Sequence, residues 1–242
     1  MRWYIGFDDT DTLHSDIGTG KYARYFAQTI SSEFSVWGVV RQQLPQLPGI
    51  PFTTHNSSAC VVVDSDSGSA LGDLVQAATD HIHRYFQEGS DPGLCIARET
   101  DRTPSLQSFG RLCSAEIVTQ EQARTAGASI HLSGHGGTND GIIGALAAVG
   151  LTMSGWAGSF IDYADIRDLP PRVSIQEVRE RGIEPVAALR KGTAPYNRQA
   201  VICPRGIRPR LWSGRPVLPL LQNEDLDWEP IEWSKKDIQG YK

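Results

Sequence analysis

Short apolar runs alternate with helically spaced apolar residues along the first half of the chain. Residues 3–7 are apolar and predict a short buried strand, and Tyr22, Phe26 and Ile30 follow it at helical spacing. Three further strands and one amphipathic helix are predicted at 36–40, 59–63, 94–97 and 71–86. The pattern predicts a domain that mixes helices with a sheet.

The second half continues this pattern with different signals. A strand at 129–132 precedes residues 141–150, which are nearly all small and apolar and predict a helix buried on most sides. Thr119 with Gln122, and Ser174 with Glu177, have the spacing of capping boxes. Gly127 and Gly182 are expected to end these two helices. Residues 101–114 are expected to be irregular, and a strand is expected at 200–203. We place a domain boundary near residue 128, with domains at 1–128 and 129–222 and an acidic tail at 223–242.

Composition is that of an ordinary globular protein and narrows the function classes. Of 242 residues, 40% are apolar and 21% are charged, and the net charge of −5 excludes a global basic field for nucleic acid, so any RNA contact would be local and weak. No apolar run approaches the length of a membrane span, and no signal peptide is visible. The four cysteines form no C-x-x-C pair, which indicates buried, reduced thiols in a cytoplasmic protein rather than a zinc site.

The first candidate site follows the opening strand directly. Asp8, Asp9 and Asp11 are three carboxylates within four residues. Because neighbouring carboxylates repel one another, a hard cation such as Mg²⁺ is the expected partner. The alternative is that these residues serve only in a turn and a helix cap.

A glycine-flanked turn follows and is a candidate phosphate site. Gly18, Thr19, Gly20 and Lys21 offer unobstructed backbone N–H groups and one ammonium, which suits a nucleotide. The spacing is not that of a Walker motif, because Tyr22 stands where that motif has Ser or Thr.

Three other segments carry candidate ligand-binding residues. A proline-rich loop contains Thr53, Thr54, His55 and Asn56, which are candidates for nucleotide binding or members of an ordinary connection. A glycine-rich loop that feeds the helix at 141–150 is in principle an anion site. The candidates for substrate binding in that loop and in a later basic stretch beside Trp212 are His135, Asn139, Asp140, Arg205, Arg208 and Arg210. Plain loop or solvated residues are the alternative for each.

Taken together, these stretches resemble the catalytic core of the archaeal agmatidine synthetases, the TiaS family, which modify the wobble cytidine of an isoleucine tRNA. The matching stretches occur in the family's order and comprise residues 5–11, 18–19, 48–56, 91–93, 141–150 and 200–215. The family continues into an oligonucleotide-binding fold and a zinc ribbon, and we expect this chain to lack both modules.

The resemblance implies a fold, a chemistry and roles for residues. It implies an α+β protein in which a kinase-like ATP-binding α/β domain is followed by a ferredoxin-like domain. It implies that ATP and Mg²⁺ activate a cytidine for attack by agmatine, with Asp8, Asp9 and Asp11 holding metal and triphosphate. Thr19 corresponds to the family's phosphorylatable threonine, although Gly18, Gly20 and Lys21 replace parts of the family's Cys-Thr-Thr pattern.

The sequence thus favours an ATP- and Mg²⁺-dependent phosphotransferase or amine ligase that acts on a nucleotide or small metabolite. One alternative is a tRNA wobble-cytidine modification enzyme that works with separate RNA-binding help. Another is a non-enzymatic regulator that binds a nucleotide and changes its oligomeric state.

Overall fold

The computed structural model describes residues 1–50, 52–53, 55–66, 70–188 and 194–231. The chain divides into two compact units, at 1–163 and 164–242. The predicted domain boundary near residue 128 differs from this division. The helix at 141–154, which follows the predicted boundary, packs on strands of the first unit. Its residues belong to the same core as those strands.

The described residues of the first unit form six strands of a sheet, and every neighbouring pair among these strands is antiparallel. Its strands are β1 (Arg2–Asp8), β2 (Ser35–Gln43), β3 (Ser57–Asp64), β4 (Gly93–Arg98), β5 (His131–Gly134) and β6 (Ser159–Asp162). Its helices are α1 (Thr19–Ile30), α2 (Leu71–Tyr85), α3 (Pro104–Cys113), α4 (Gln120–Ala126) and α5 (Gly141–Ser154), with a 3-10 turn at Glu99–Asp101. The strand order is β5-β4-β1-β3-β2-β6.

The first six elements have ferredoxin-like connectivity. They run β1-α1-β2-β3-α2-β4 along the chain, and their strands lie in the order β4-β1-β3-β2. The expected kinase-like domain followed by a ferredoxin-like domain is therefore not confirmed, because the ferredoxin-like connectivity lies at the start of the chain. The mixed α/β character of the prediction is confirmed.

Both faces of this sheet are covered by helices. Trp3, Ile5 and Phe7 of β1 point into a core formed with α1 and α2, and Tyr4 belongs to a second core formed with α3 and α5. Gly6 lies on the face of Tyr4, and a Cβ there would overlap the backbone of α5. A strand buried on both faces reads as one continuous apolar run, which is what the sequence shows.

Helix α3 is absent from the sequence prediction, which treated residues 101–114 as irregular. Thr103 caps it by accepting a hydrogen bond from the Leu106 backbone, and proline stands at its first turn. Leu106, Phe109 and Cys113 supply a buried stripe against α5. The serines and glutamine on the outer side hide this spacing in the sequence.

Helix caps elsewhere follow the prediction. Thr119 and Gln122 form the capping box of α4, which ends at Gly127. Ser174 and Glu177 form the box of α6 (Ile175–Glu180) in the second unit. These are local signals, and no tertiary contact is needed to specify them.

The second unit is a small mixed sheet. Its strands are β7 (Arg172–Ser174), β8 (Glu184–Ala187), β9 (Ala200–Ile202), β10 (Arg210–Trp212), β11 (Arg215–Gln222) and β12 (Trp228–Pro230). The order is β10-β11-β12-β9-β7, and β8 pairs with β11 in parallel. Within the described residues of this unit α6 is the only helix, so the two helices of a ferredoxin-like domain are not seen there.

The start of the predicted acidic tail is part of this sheet. Trp228 is buried in β12, and its indole N–H donates to the Gln199 side-chain oxygen at 2.8 Å. Residues 232–242 of the predicted tail lie outside the described part of the chain.

The described residues include all four cysteines and the helices whose length and hydropathy bear on a membrane location. All four cysteines are buried, as predicted. Among the helices of the described ranges, none is long and apolar enough to cross a membrane.

Candidate functional site

The acidic stretch lies at the carboxyl end of β1, as the sequence predicts. Asp8 is the last residue of the strand, and Asp9 adopts a left-handed backbone with φ of +49°. Aspartate tolerates this conformation better than most residues. The sharp turn sends the side chains of Asp8, Asp9 and Asp11 to different neighbours.

Asp8 rests on the first turn of α5. A Cβ at Gly144 would overlap its carboxylate, so the close approach requires glycine at that position. Burial raises the pKa of Asp8 to about 8, and the charges of Asp9 and Asp11 add to this, while a hydrogen bond from the Asp9 backbone opposes it. The Asp8 carboxylate is thus held where its charge is poorly compensated.

Asp9 lies among further acidic groups. Burial is the largest cause that raises its pKa to about 6, followed by the charges of Asp91, Asp11 and Asp140. Within the described ranges, no basic side chain forms an ion pair with Asp8, Asp9 or Asp11. A cation supplied from outside would relieve this repulsion.

Asp11 has a different role from its two neighbours. Its carboxylate accepts hydrogen bonds from the Thr19 and Thr53 hydroxyls, each at 3.1 Å. Thr19 in turn accepts from the Thr10 hydroxyl at 3.2 Å. Asp11 therefore links the end of β1, the start of α1 and the proline-rich loop.

The expected three-carboxylate metal set is not seen as one cluster. Across the described ranges, no three Asp, Glu, His or Cys side chains are arranged to hold a metal. Asp11 is engaged by two hydroxyls, which leaves Asp8 and Asp9 as the pair with uncompensated charge. Two carboxylates suffice for Mg²⁺ that arrives with a nucleotide, because phosphate oxygens and waters complete its shell.

The glycine-flanked turn forms the start of α1. Gly18 is the N-cap and provides no side-chain cap, and its carbonyl accepts from the Lys21 and Tyr22 backbones. Gly20 faces Ile161, where a Cβ would lie 3.2 Å from the Ile161 methyl group. Lys21 is exposed, with its ammonium 5.6 Å from the centre of the Tyr25 ring.

The proline-rich loop contributes Thr53 to the site and uses Asn56 for its own shape. Asn56 donates from its amide to the Pro45 carbonyl at 2.7 Å, and its backbone carbonyl accepts from the Leu44 backbone. His55 is exposed, and Thr54 lies outside the described residues.

The glycine-rich loop is occupied by a carboxylate of the chain itself. The backbone N–H groups of Thr138, Asn139 and Asp140 all donate to Asp91, at 3.0, 2.8 and 2.9 Å. The anion site expected from this loop is therefore filled by Asp91, which differs from the expectation of an external anion. The sequence showed Asp91 only as part of a turn before β4, since its partners come together only through tertiary pairing.

The three loop residues predicted to bind substrate have internal partners. The Asp140 carboxylate accepts from the Gln120 amide at 2.7 Å, and the Asn139 side chain packs on Gly134. His135 contacts the Ser133 hydroxyl at 2.8 Å, and burial lowers the pKa of its imidazole. Their role in substrate binding stays a prediction.

The predicted basic stretch belongs to the second unit. Arg205 and Arg208 are exposed residues between β9 and β10, and Arg210 is the first residue of β10. Arg210 is partly buried, and burial lowers the pKa of its guanidinium. The assignment of this stretch to substrate binding stays a prediction as well.

Comparison with known proteins bears on this site. No protein-family model matches the chain. TiaS from Pyrococcus horikoshii, a 2-agmatinylcytidine synthetase for an isoleucine tRNA, is 26% identical over 230 residues, which is 90% of this chain and 52% of that protein. The resemblance to TiaS is confirmed.

Solved TiaS structures agree with the sequence comparison. Apo TiaS is 26% identical with a TM-score of 0.53, over 62% of this chain and 35% of that one. TiaS in complex with tRNA and ATP is also 26% identical, with a TM-score of 0.54, over 62% of this chain and 36% of that one. The chain spans about half the length of the curated TiaS that it matches, so the similarity fits a catalytic core.

Proposed function

We propose that the chain is an ATP-dependent ligase that modifies a cytidine of tRNA. The observation that carries this proposal is the uncompensated acidic pair Asp8 and Asp9, beside the Asp11–Thr19 hydrogen bond, in a chain that resembles TiaS. A solved complex of TiaS contains tRNA and ATP. A small metabolite as the acceptor, preferred from the sequence alone, has less support than RNA.

ATP would enter the site with Mg²⁺, and Asp8 and Asp9 are the residues that would hold the ion. When bound, a divalent ion neutralises charge on the phosphates and so favours nucleophilic attack on them. Asp8 is fixed by its contact with Gly144, and Asp9 by its turn at the end of β1. The pair is therefore oriented before the nucleotide arrives, which reduces the entropy lost on binding.

Thr19 is the candidate acceptor for a phosphoryl group. It lies at the first position of α1 and is buried, and its hydroxyl donates to Asp11. That hydrogen bond fixes the side chain and leaves Asp11 positioned to take a proton from the hydroxyl.

RNA would be bound by local contacts, with help from further RNA-binding surface beyond the described residues or on another protein. A chain with net charge −5 repels nucleic acid at long range. Arg205 and Arg208 are exposed residues of a type that binds phosphates, and we propose this stretch as the local RNA contact. An amine of the agmatine class is the proposed nucleophile, because the related synthetase is named for an agmatinyl product.

The test combines binding with product analysis. Calorimetry with ATP and Mg²⁺ should show binding to the wild-type chain and its loss in Asp8→Asn and Asp9→Asn. Incubation with isoleucine tRNA, ATP and agmatine, followed by nucleoside mass spectrometry, should show a cytidine that has gained agmatine. Asp73→Asn on the exposed side of α2 is the matched control. Unchanged ATP binding in both site variants would refute the assignment.

A further inference from the structure

Asp91 occupies a cradle of hydrogen-bond donors at the start of α5. It is 8% exposed and lies two residues before β4. Besides the three backbone N–H groups of Thr138, Asn139 and Asp140, it accepts from the Thr138 hydroxyl at 2.6 Å. Four donors thus converge on one carboxylate, which leaves no vacant position for a phosphate among them.

The backbone around Asp91 is tied to the acidic pair. The Asp91 N–H donates to the Asp9 carbonyl at 3.1 Å, and the Pro92 carbonyl accepts from the His135 backbone at 2.8 Å. Gly141, the first residue of α5, packs on the Asp91 carbonyl so closely that a Cβ there would overlap it. Asp91 is therefore bonded to the turn that carries Asp9 and to the loop at 138–140 that leads into α5, the helix that Asp8 contacts.

We infer that Asp91 is a positioning residue for the proposed nucleotide site, and that its carboxylate acts as a built-in anion that locks α5 against the end of β1. The inference rests on the proposed function, because its main test measures the affinity for ATP. Asparagine at position 91 would not replace the carboxylate, because its NH₂ group would face N–H donors. A small carboxylate from solution should restore these hydrogen bonds when the side chain of Asp91 is truncated.

The test is chemical rescue of Asp91→Ala by formate. Calorimetry below the melting range of both proteins should show that the variant binds Mg²⁺ and ATP about tenfold or more weakly, because four hydrogen bonds to a charged group are lost. Formate should restore most of this affinity in Asp91→Ala. It should not do so in Asp91→Asn, where the side chain still fills the cradle, and it should leave wild type and Asp73→Ala unchanged.

A second variant covers the case in which Asp91→Ala does not fold. Thr138→Val removes only the hydroxyl donor at the exposed Thr138 and keeps the three backbone donors. It should fold and bind the nucleotide several-fold more weakly than wild type. Wild-type affinity in Thr138→Val, or in Asp91→Ala where that variant folds, with only the melting temperature lowered, would overturn the inference.

Hydrogen exchange separates this inference from the proposed function. If the wild-type chain binds no ATP, the proposed function fails, and the amides of Thr138, Asn139 and Asp140 decide about Asp91. They should be protected in wild type, exchange rapidly in Asp91→Ala and become protected again in formate. Equal protection in both proteins would overturn the inference.

Discussion

Gly144 of α5 and Asp8 of β1 lie in direct contact, with no room for a side chain at Gly144. This contact joins the sheet to the helix that covers it at the point where the acidic site begins. Because Gly144 is buried, an added methyl group has no open space to enter. The position therefore couples the stability of the fold to the geometry of the site.

Gly144→Ala should lower both stability and nucleotide affinity. Overpacking at this contact is expected to cost about 1–3 kcal/mol in the free energy of unfolding, measured by urea denaturation. Calorimetry should show weaker binding of Mg²⁺ and ATP, because Asp8 is displaced.

Gly72→Ala is the matched control for this change. Gly72 lies near the start of α2, where a Cβ would meet no atom within 4 Å. This substitution should stabilise the protein by about 0.5–1 kcal/mol through helix propensity and leave nucleotide binding unchanged. If both substitutions changed the free energy of unfolding and the nucleotide affinity equally, the contact between Gly144 and Asp8 would contribute to neither.

The sequence predicts the elements of the first unit better than their arrangement. The run from Trp3 to Phe7 is recognisable as a strand because every position in it is apolar or glycine. The same feature does not reveal the topology, because a strand covered on both faces has the same apolar residue pattern in parallel and antiparallel sheets. Only the pairing of β1 with β3 and β4 reveals the ferredoxin-like order.

The candidate site likewise contains residues that the sequence predicts and others whose contacts it does not predict. Asp8 and Asp9 can be predicted because three carboxylates follow a strand within four residues. The hydrogen bonds of Asp91 cannot be predicted, because its partner loop lies more than forty residues later and reaches it only through the pairing of β4 with β5. The separate role of Asp11 also depends on a distant residue, Thr53.

The acidic pair should make the metal-free protein less stable as the pH rises. The folded-state pKa values of Asp8 and Asp9, about 8 and about 6, lie above the ordinary value of 3.8. The folded state therefore holds these protons more tightly, and the resulting stabilisation is complete below about pH 4. It is lost as the pH rises through 6 for Asp9 and through 8 for Asp8.

Melting temperatures measured with a chelator across this range test the prediction. Asp8→Asn should flatten the curve between pH 6 and 8, and Asp73→Asn should not. Added Mg²⁺ should raise the melting temperature most at the upper end, because the ion binds the deprotonated form. A wild-type curve that is flat from pH 6 to 8 with the chelator present would contradict the raised pKa of Asp8.

The hydroxyl of Thr19 should be energetically coupled to Asp11. A double-mutant cycle with Asp11→Asn and Thr19→Val should give an interaction of about 1 kcal/mol in the free energy of unfolding, because a hydrogen bond to a charged group is removed. Thr19→Ser keeps the hydroxyl and should keep most of the coupling. Thr29→Val, in the same helix but bonded to the Tyr25 carbonyl, is the control and should show no coupling to Asp11. Additive effects of Asp11→Asn and Thr19→Val would show that their contact contributes nothing.

His81 should make the first unit sensitive to acid. It is buried among the rings of Phe7, Tyr22, Phe26 and Tyr85, and its Nε2 donates to the Tyr22 carbonyl at 3.2 Å. Burial lowers the pKa of its imidazole to about 4, and the charge of Arg84 lowers it further, although the hydrogen bond to Tyr22 opposes this.

Since the folded-state pKa of His81 lies below the ordinary value of 6.5, its stabilising contribution is complete above pH 6.5 and is lost as the pH falls towards 4. The loss should amount to about 3 kcal/mol in the free energy of unfolding. His81→Phe removes the titrating group and should make the protein less acid-sensitive than wild type, in urea denaturation at a series of pH values. His83→Phe, on the exposed side of the same helix, should retain the wild-type slope. Equal slopes in wild type and His81→Phe would mean that the buried imidazole is not the cause of acid sensitivity.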